Sequence, residues 1–390
     1  MEVILLAGIL VAVFVGYNIG GATTGVSFGP AVGANVVTKV GAAVLMSVCF
    51  LLGGWLIGPA VVRTLGEELV PRSVLTLESG IVVMFFIGVA LYCGNLFGVP
   101  ASTSMTAVGS IAGLGIATGT LDWATMGQIV SWWIVAPIVA FWVAGVIGRY
   151  WYPYINQWVA IPPRDEGVWV IDRSGPVPRI RVVGGAERRE VGGALIVLAI
   201  GAYMAFSSGA SNVANAVAPL VGSGAISMQA GVLIACAAVA IGAFTIARRT
   251  LDTMANDITA LPLPAAVVVM VISATIVTLL SAIGIPVQLV IVATMAIVGL
   301  GWGRATRTVT VSDAVRGEKA ATVTTGALAA DQPGDTVQEM GAERPEEMPR
   351  TADLFDPSTT ARVIVIQNLV PVIATIGAFL TFRYAPLIGV

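Results

Sequence analysis

The chain has 390 residues, of which 57% are A, V, I, L, M, F, W, Y or C and only 11% are charged, against about 25% in an ordinary soluble domain. Surface shrinks too slowly relative to volume for a soluble fold to hide so much apolar area, so a polytopic membrane protein is expected. Twenty basic and 22 acidic residues, a net charge of −2 and no histidine argue against a nucleic-acid partner and remove serine–histidine proteases, haem ligation and histidine proton relays.

A spanning helix needs about 20 mostly apolar residues. In chain order such stretches cover 3–19, 40–62, 80–97, 126–148, 193–207, 229–247, 264–283 and 363–381, with two shorter ones at 104–118 and 288–302. Glycine-rich stretches at 20–35 and 208–224 follow the first span of each half and read as helix breaks. Breaks at membrane depth are tolerated only where they line a cavity or are covered by protein. The first span carries Glu2 and no basic flank, unlike a signal peptide. Cys49, Cys93 and Cys236 lie apart in apolar segments and read as buried thiols. Residues 149–191 hold seven arginines among prolines and acids, and 304–362 hold ten acids in an Ala/Thr-rich run that reads as a disordered loop.

An internal repeat sets the expected architecture. Gly29-Pro30 answers Ala218-Pro219, and Gly53 answers Gly242, at an offset of 189. Gly98-Val99-Pro100 answers Gly284-Ile285-Pro286 at 186, and Ile111, Gly113, Leu114 and Gly115 match Ile297, Gly299, Leu300 and Gly301 without a gap. The expected fold is an all-α polytopic membrane protein of two inverted-topology repeats, each of about five segments with broken or re-entrant helices. Its first membrane repeat is 1–148 and a connecting loop is 149–191. The second repeat is 192–303, completed by a last helix in 363–390 after the loop 304–362. With ten spans, the connections 149–191, 248–263 and 304–362 share one face and hold 16 of the 20 basic residues. The positive-inside rule makes that face cytoplasmic and puts both termini outside a cytoplasmic membrane.

Two polar clusters interrupt the apolar background. Ser102, Thr103 and Ser104 follow Gly98-Val99-Pro100-Ala101, where proline fixes the chain's entry and Ser/Thr suit the N-cap of a half-helix. A helix N-terminus offers unpaired N–H groups and partial positive charge, which favours an anion; the plain alternative is a cap that only starts a helix. The second cluster runs Ser207-Ser208-Gly209-Ala210-Ser211-Asn212-Val213-Ala214-Asn215-Ala216, with Asn212 and Asn215 on one helix face. Asparagine amides can coordinate a hard cation or donate to an anion, or simply bond helix to helix.

Both clusters carry a family resemblance. Gly209-Ala210-Ser211-Asn212-Val213-Ala214-Asn215-Ala216-Val217-Ala218-Pro219 resembles the Gly-Ala-Asn-Asp-Val-Ala-Asn-Ala-Ile-Gly-Pro motif of the PiT-type inorganic phosphate transporters, which include sulfate permeases. Gly98-Val99-Pro100-Ala101-Ser102-Thr103-Ser104 resembles their Gly-Ile-Pro-Val-Ser-Thr-Thr motif. The resemblance implies secondary transport of phosphate or a similar tetrahedral oxyanion across the bilayer, coupled to sodium or protons, with no resident cofactor and in a homodimer. It implies an anion site at Ser102, Thr103, Ser104, Ser208, Asn212 and Gln288, and a cation site at Thr23, Thr24, Ser211, Asn212 and Asn215. The match is incomplete. Thr23 and Val26 stand where relatives place Asp and Asn, Asn212 replaces an Asp, and Gln288-Leu289-Val290 replaces the second Ser-Thr-Thr. No acid is left at either cation motif.

Other features read as structure. Lys39 at a span end snorkels, and Arg63, Glu67 and Glu68 read as an aqueous loop. Gly299-Leu300-Gly301-Trp302-Gly303 lacks the Gly-Lys-Ser/Thr of a nucleotide loop and reads as close helix packing. Trp132, Trp133, Trp142 and Trp151 read as a helix face and interfacial belt. No nucleophile–base pair or metal set suggests an enzyme. The competing classes are a sulfate or other oxyanion permease, an uncoupled anion facilitator, and a membrane scaffold.

Overall fold

The computed structural model describes residues 2–96, 102–159, 169–172, 179–182, 188–247, 263–305 and 357–385. The first half comprises α1 (Glu2–Gly33), α2 (Lys39–Leu56), α3 (Gly58–Arg63), α4 (Leu77–Leu96), α5 (Thr103–Thr118), α6 (Trp123–Val146) and α7 (Tyr152–Val159). One-turn π-helices, Thr64–Glu68 and Ile147–Trp151, extend α3 and α6. An antiparallel hairpin, β1 (Trp169–Asp172) and β2 (Arg179–Val182), pairs Trp169 with Val182 and Asp172 with Arg179. The second half comprises α8 (Arg188–Gly222), α9 (Met228–Thr245), α10 (Leu263–Ala282), α11 (Leu289–Ala305) and α12 (Pro357–Tyr384).

Among the described residues, seven helices are long and apolar enough to cross a membrane, and three shorter apolar ones cover Thr103–Thr118, Leu289–Arg304 and Asn368–Tyr384. These are the ten segments expected from hydropathy. Their outer faces carry exposed Leu6, Leu10, Val44, Val48, Leu52, Ile134 and Trp142, as lipid contact requires. The disorder expected for the acidic loop falls on 306–356, outside the described residues.

The glycine-rich stretches do not break the first helix of either half. α1 runs unbroken to Gly33 and α8 to Gly222. The chain turns instead at a left-handed residue, Asn35 (φ 54°) and Gly224 (φ 75°), and restarts at an N-cap hydroxyl, Thr38 on the Gly41 N–H and Ser227 on the Ala230 N–H. Each position in one half lies 189 residues from its counterpart. Glycine's poor helix propensity, about 1 kcal/mol, is overridden because these glycines are where other helices touch. A Cβ on Gly20 would lie 2.1 Å from the Val239 oxygen, and one on Gly209 would lie 2.1 Å from the Phe50 oxygen.

Those two contacts are the same contact moved by 189. Gly53 against the Phe206 oxygen (1.9 Å) and Gly242 against the Tyr17 oxygen (2.1 Å) form a second such pair. So α1 crosses α9 and α2 crosses α8, each half giving its first helix to the other half's second. Farther on, Gly113 meets the Thr375 oxygen and Gly299 the Phe141 oxygen, so α5 lies on α12 and α11 on α6. That contact accounts for Gly299 in the glycine run, and Gly303 likewise meets the Gly145 oxygen. α1 and α8 run in opposite directions: Gly8 packs on Leu220, and Gly201 on Phe28.

Other expectations need amending. Arg63, Glu67 and Glu68 belong to α3 and its π turn rather than to a loop, with Glu67 paired to Arg72. Only Cys236 is buried; Cys49 is half-buried and Cys93 is exposed on α4, because apolar sequence in a bilayer also faces lipid. Trp133 does not join an interfacial belt but donates from Nε1 to the Pro286 oxygen at 2.8 Å, tying α6 to the segment between α10 and α11.

Candidate functional site

Two helical hairpins position the site. α4 and α5 fold back on each other, so that the Asp122 N–H at the end of α5 bonds the Leu69 oxygen ahead of α4. α10 and α11 do the same around Gly284, which adopts a left-handed φ of 82° against Thr64 and Ala60. The hairpin tips meet: Ser104 Oγ at the start of α5 donates to the Val287 oxygen at 3.1 Å. Each tip starts a short helix, and the starts are equivalent. The Thr106 N–H bonds the Ser102 oxygen, and the Val292 N–H bonds the Gln288 oxygen. Ser102 and Gln288 are thus the N-caps of α5 and α11, 186 residues apart.

Between these N-termini lies a cavity closed by Ala22, Thr23 and Val26 of α1 and by Asn212 of α8. Ser102 and Thr103 line one side, and Gln288, Leu289 and Val290 the other. It offers about 20 Å³ to the centres of water molecules, room for one or two, since one water needs roughly 10–15 Å³. An oxyanion therefore requires the walls to move apart. No lining residue is ionisable. The positive character comes from the first-turn N–H groups of two helices, each end worth roughly half a charge.

The hydrogen bonds around the cavity run in a fixed sense. Thr103 Oγ1 donates to Asn212 Oδ1 at 2.5 Å, and Asn215 Nδ2 donates to the same oxygen at 3.0 Å. Asn212 Nδ2 donates to Ser208 Oγ at 3.1 Å. Ser102 Oγ accepts from the Met105 N–H at 3.3 Å, which leaves its proton available to the cavity. Gln288 is 6% exposed, and neither of its amide atoms has a hydrogen-bond partner.

Of the six residues expected to hold the anion, Ser102, Thr103, Asn212 and Gln288 line the cavity, while Ser104 and Ser208 stand behind it. Ser208 positions Asn212; Ser104 joins a second polar cluster with Ser211 and Asn215 around the Val287 oxygen. Ser211 Oγ donates to that oxygen at 3.2 Å, and Asn215 Nδ2 donates to Ser104 Oγ at 3.3 Å. Of the expected cation residues, Thr23 faces the cavity, whereas Thr23 and Thr24 spend their protons on the Ile19 and Gly20 oxygens. Asn212 and Asn215 bridge the two clusters, and Asn215 Oδ1 is buried without a partner. Pro30 and Pro219 have no N–H, so the Val26 and Asn215 carbonyls lack their usual helical donors. Oxygen donors are thus present for a hard cation; among the described residues no group of three His, Cys, Asp or Glu could hold a metal.

Sequence reading misses the Val287 carbonyl and the pair formed by Asn95 Nδ2 and Asn18 Oδ1 at 3.0 Å, which ties α4 to α1. A backbone acceptor leaves no mark in sequence. The asparagine does leave one: Asn18 lies 189 residues before Ser207, whose Oγ ties α8 to α10 through the Ala274 oxygen.

The family model of the phosphate transporter family matches residues 19–330. The chain belongs to that family. As a phosphate transporter family member it is a multi-pass membrane permease, and it moves a solute rather than transforming one. It is 29% identical over 301 residues to the sulfate permease CysP of Bacillus subtilis (strain 168), covering 77% of each chain. Its fold is similar to that of a solved sodium-dependent phosphate transporter, with a TM-score of 0.66 and 16% identity over 97% of this chain and 98% of that one.

Proposed function

We propose that the chain is an inorganic phosphate permease of the cytoplasmic membrane that holds the anion between the N-termini of α5 and α11. The observation that carries the reading is the convergence of two capped helix starts on one buried, carboxylate-free cavity in a phosphate transporter family member. Ser102 donates its hydroxyl, Thr103 and Asn212 form the wall, and the first-turn N–H groups of both helices face the oxyanion. Alternating access follows from the reciprocal packing: two hairpins tip to tip, related by one offset, present either mouth by the same rocking motion.

Coupling belongs to sodium rather than protons in this reading, since oxygen donors lie in and beside the cavity and its lining holds no titratable side chain. Asn215 Oδ1, the Asn212 amide and the carbonyls freed by Pro30 and Pro219 are the donors, with Thr23, Thr24 and Ser211 beside them. Both termini lie outside, the basic connections lie in the cytoplasm, and two copies associate.

The test is uptake of labelled phosphate into proteoliposomes, with competition by sulfate, arsenate and molybdate. Concentrative uptake driven by a sodium gradient is expected. Equilibration indifferent to any gradient would instead make the chain a facilitator. Sulfate is the second reading, favoured by the 29% identity to a sulfate permease over 77% of both chains; saturable sulfate uptake that phosphate fails to inhibit would establish it.

A further inference from the structure

Sulfate presents only acceptors, whereas hydrogen phosphate presents acceptors and one P–OH donor. A cavity that takes phosphate needs at least one uncommitted acceptor, and one restricted to sulfate gains from having none. Thr103 and Thr23 have spent their protons and can only accept, while Ser102 accepts once from Met105 and keeps a proton to offer. Asn212 Oδ1 accepts two hydrogen bonds, and its Nδ2 gives one of its two protons to Ser208. Gln288 differs. As the N-cap of α11 it occupies the place that Ser102 holds on α5, yet its longer side chain makes no cap bond, and both amide atoms stay unpartnered at 6% exposure on the cavity wall. A buried amide left unpaired is costly, so its partner is whatever fills the cavity, water first and the oxyanion once it enters.

Resting on the oxyanion reading above, we propose that Gln288 reads the protonation state of the bound anion. With Nε2 turned inward it donates to a bare oxygen, as sulfate offers; with the amide turned over, Oε1 accepts the P–OH proton of hydrogen phosphate. The two orientations have nearly the same shape, so a single residue admits both oxyanions and sets their ratio. Replacing the amide with a group of one polarity removes half of that choice.

The experiment compares wild type, Gln288→Glu and Gln288→Met, full-length in proteoliposomes, by the inhibition constants of phosphate and sulfate across the second ionisation of phosphate. Ionised glutamate accepts and cannot donate, so Gln288→Glu should shift preference toward phosphate by roughly tenfold or more, with the shift growing as the glutamate ionises. Gln288→Met keeps the bulk without polar atoms, and should weaken both anions by about tenfold. A phosphate-to-sulfate ratio unchanged in Gln288→Glu at every pH, or unchanged affinity for both anions in Gln288→Met, overturns the proposal. Wild-type protein that takes up neither anion would instead overturn the oxyanion reading itself.

Discussion

Replacing Gly53 with alanine tests the exchanged packing of the two halves. The added Cβ would lie 1.9 Å from the Phe206 oxygen and 2.8 Å from its carbonyl carbon, where ordinary contact begins at 3.4 Å. A helix carbonyl cannot rotate away as a side chain does, so α2 and α8 must part by about 1.5 Å. A gap of even 0.5–1 Å forfeits roughly a quarter to a half of each dispersion contact, and the opposing crossing, Gly209 on the Phe50 oxygen, shares this interface. Overpacking costs about 1–3 kcal/mol, and a backbone clash belongs at the upper end. About 3 kcal/mol lowers the melting temperature by roughly 4 °C in a chain of this size. Gly242→Ala, which meets the Tyr17 oxygen at 2.1 Å on the other interface, should cost the same, and the double substitution about the sum. Gly127→Ala is the control, because nothing lies within 4 Å of the place its methyl group would take. Thermal unfolding followed by tryptophan fluorescence in detergent measures all four. If Gly53→Ala melts with Gly127→Ala and wild type, the helices do not cross this closely and the reasoning fails.

Alanine at Ser102, Thr103 and Ser104 together removes the α5 cap, the donor to Asn212 and the bond to Val287; uptake should vanish while the protein still inserts and remains monodisperse. Trp133→Phe deletes the bond to the Pro286 oxygen, worth about 1 kcal/mol, and should slow uptake by loosening the α10–α11 tip without abolishing substrate competition. Asp122 caps α6 on the Thr125 N–H, and that bond lowers its pKa. A depressed folded-state pKa means the cap's contribution is present above the unfolded value and fades as pH falls through the folded one. Asp122→Ala should therefore melt below wild type at neutral pH, with the difference closing in acid.

The repeat is legible because close helix crossings demand glycine, and glycine at a fixed offset is visible without coordinates: Gly53 and Gly242 align in sequence and make matching contacts in space. The same residue type misleads about local structure. Gly20 and Gly21 suggest a break on propensity alone, yet each abuts a neighbouring helix, and burial outweighs propensity. Ser102, Thr103, Asn212 and Gln288 stand out through motif and offset, and the structure brings them to one cavity. Which hydroxyls face that cavity and which face the Val287 oxygen depends on how the hairpin tips abut, and no pattern of side chains encodes a backbone acceptor. Trp133 is misread for a related reason: its target, the Pro286 carbonyl, is 153 residues away.

The exchange of helices between halves also has a consequence in time. α1 and α2 leave the ribosome with their glycine faces shaped for α9 and α8, which follow about 220 and about 150 residues later, as the Gly20–Val239 and Gly53–Phe206 contacts show. At about 5–20 residues per second, the first half waits on the order of 10–40 s for its partners. During that interval its small-residue faces are open to any passing helix, including those of a neighbouring nascent copy. Biogenesis, rather than transport, is then the stage at which these glycines are most exposed to error, and a substitution there would register first as a lower yield of inserted protein.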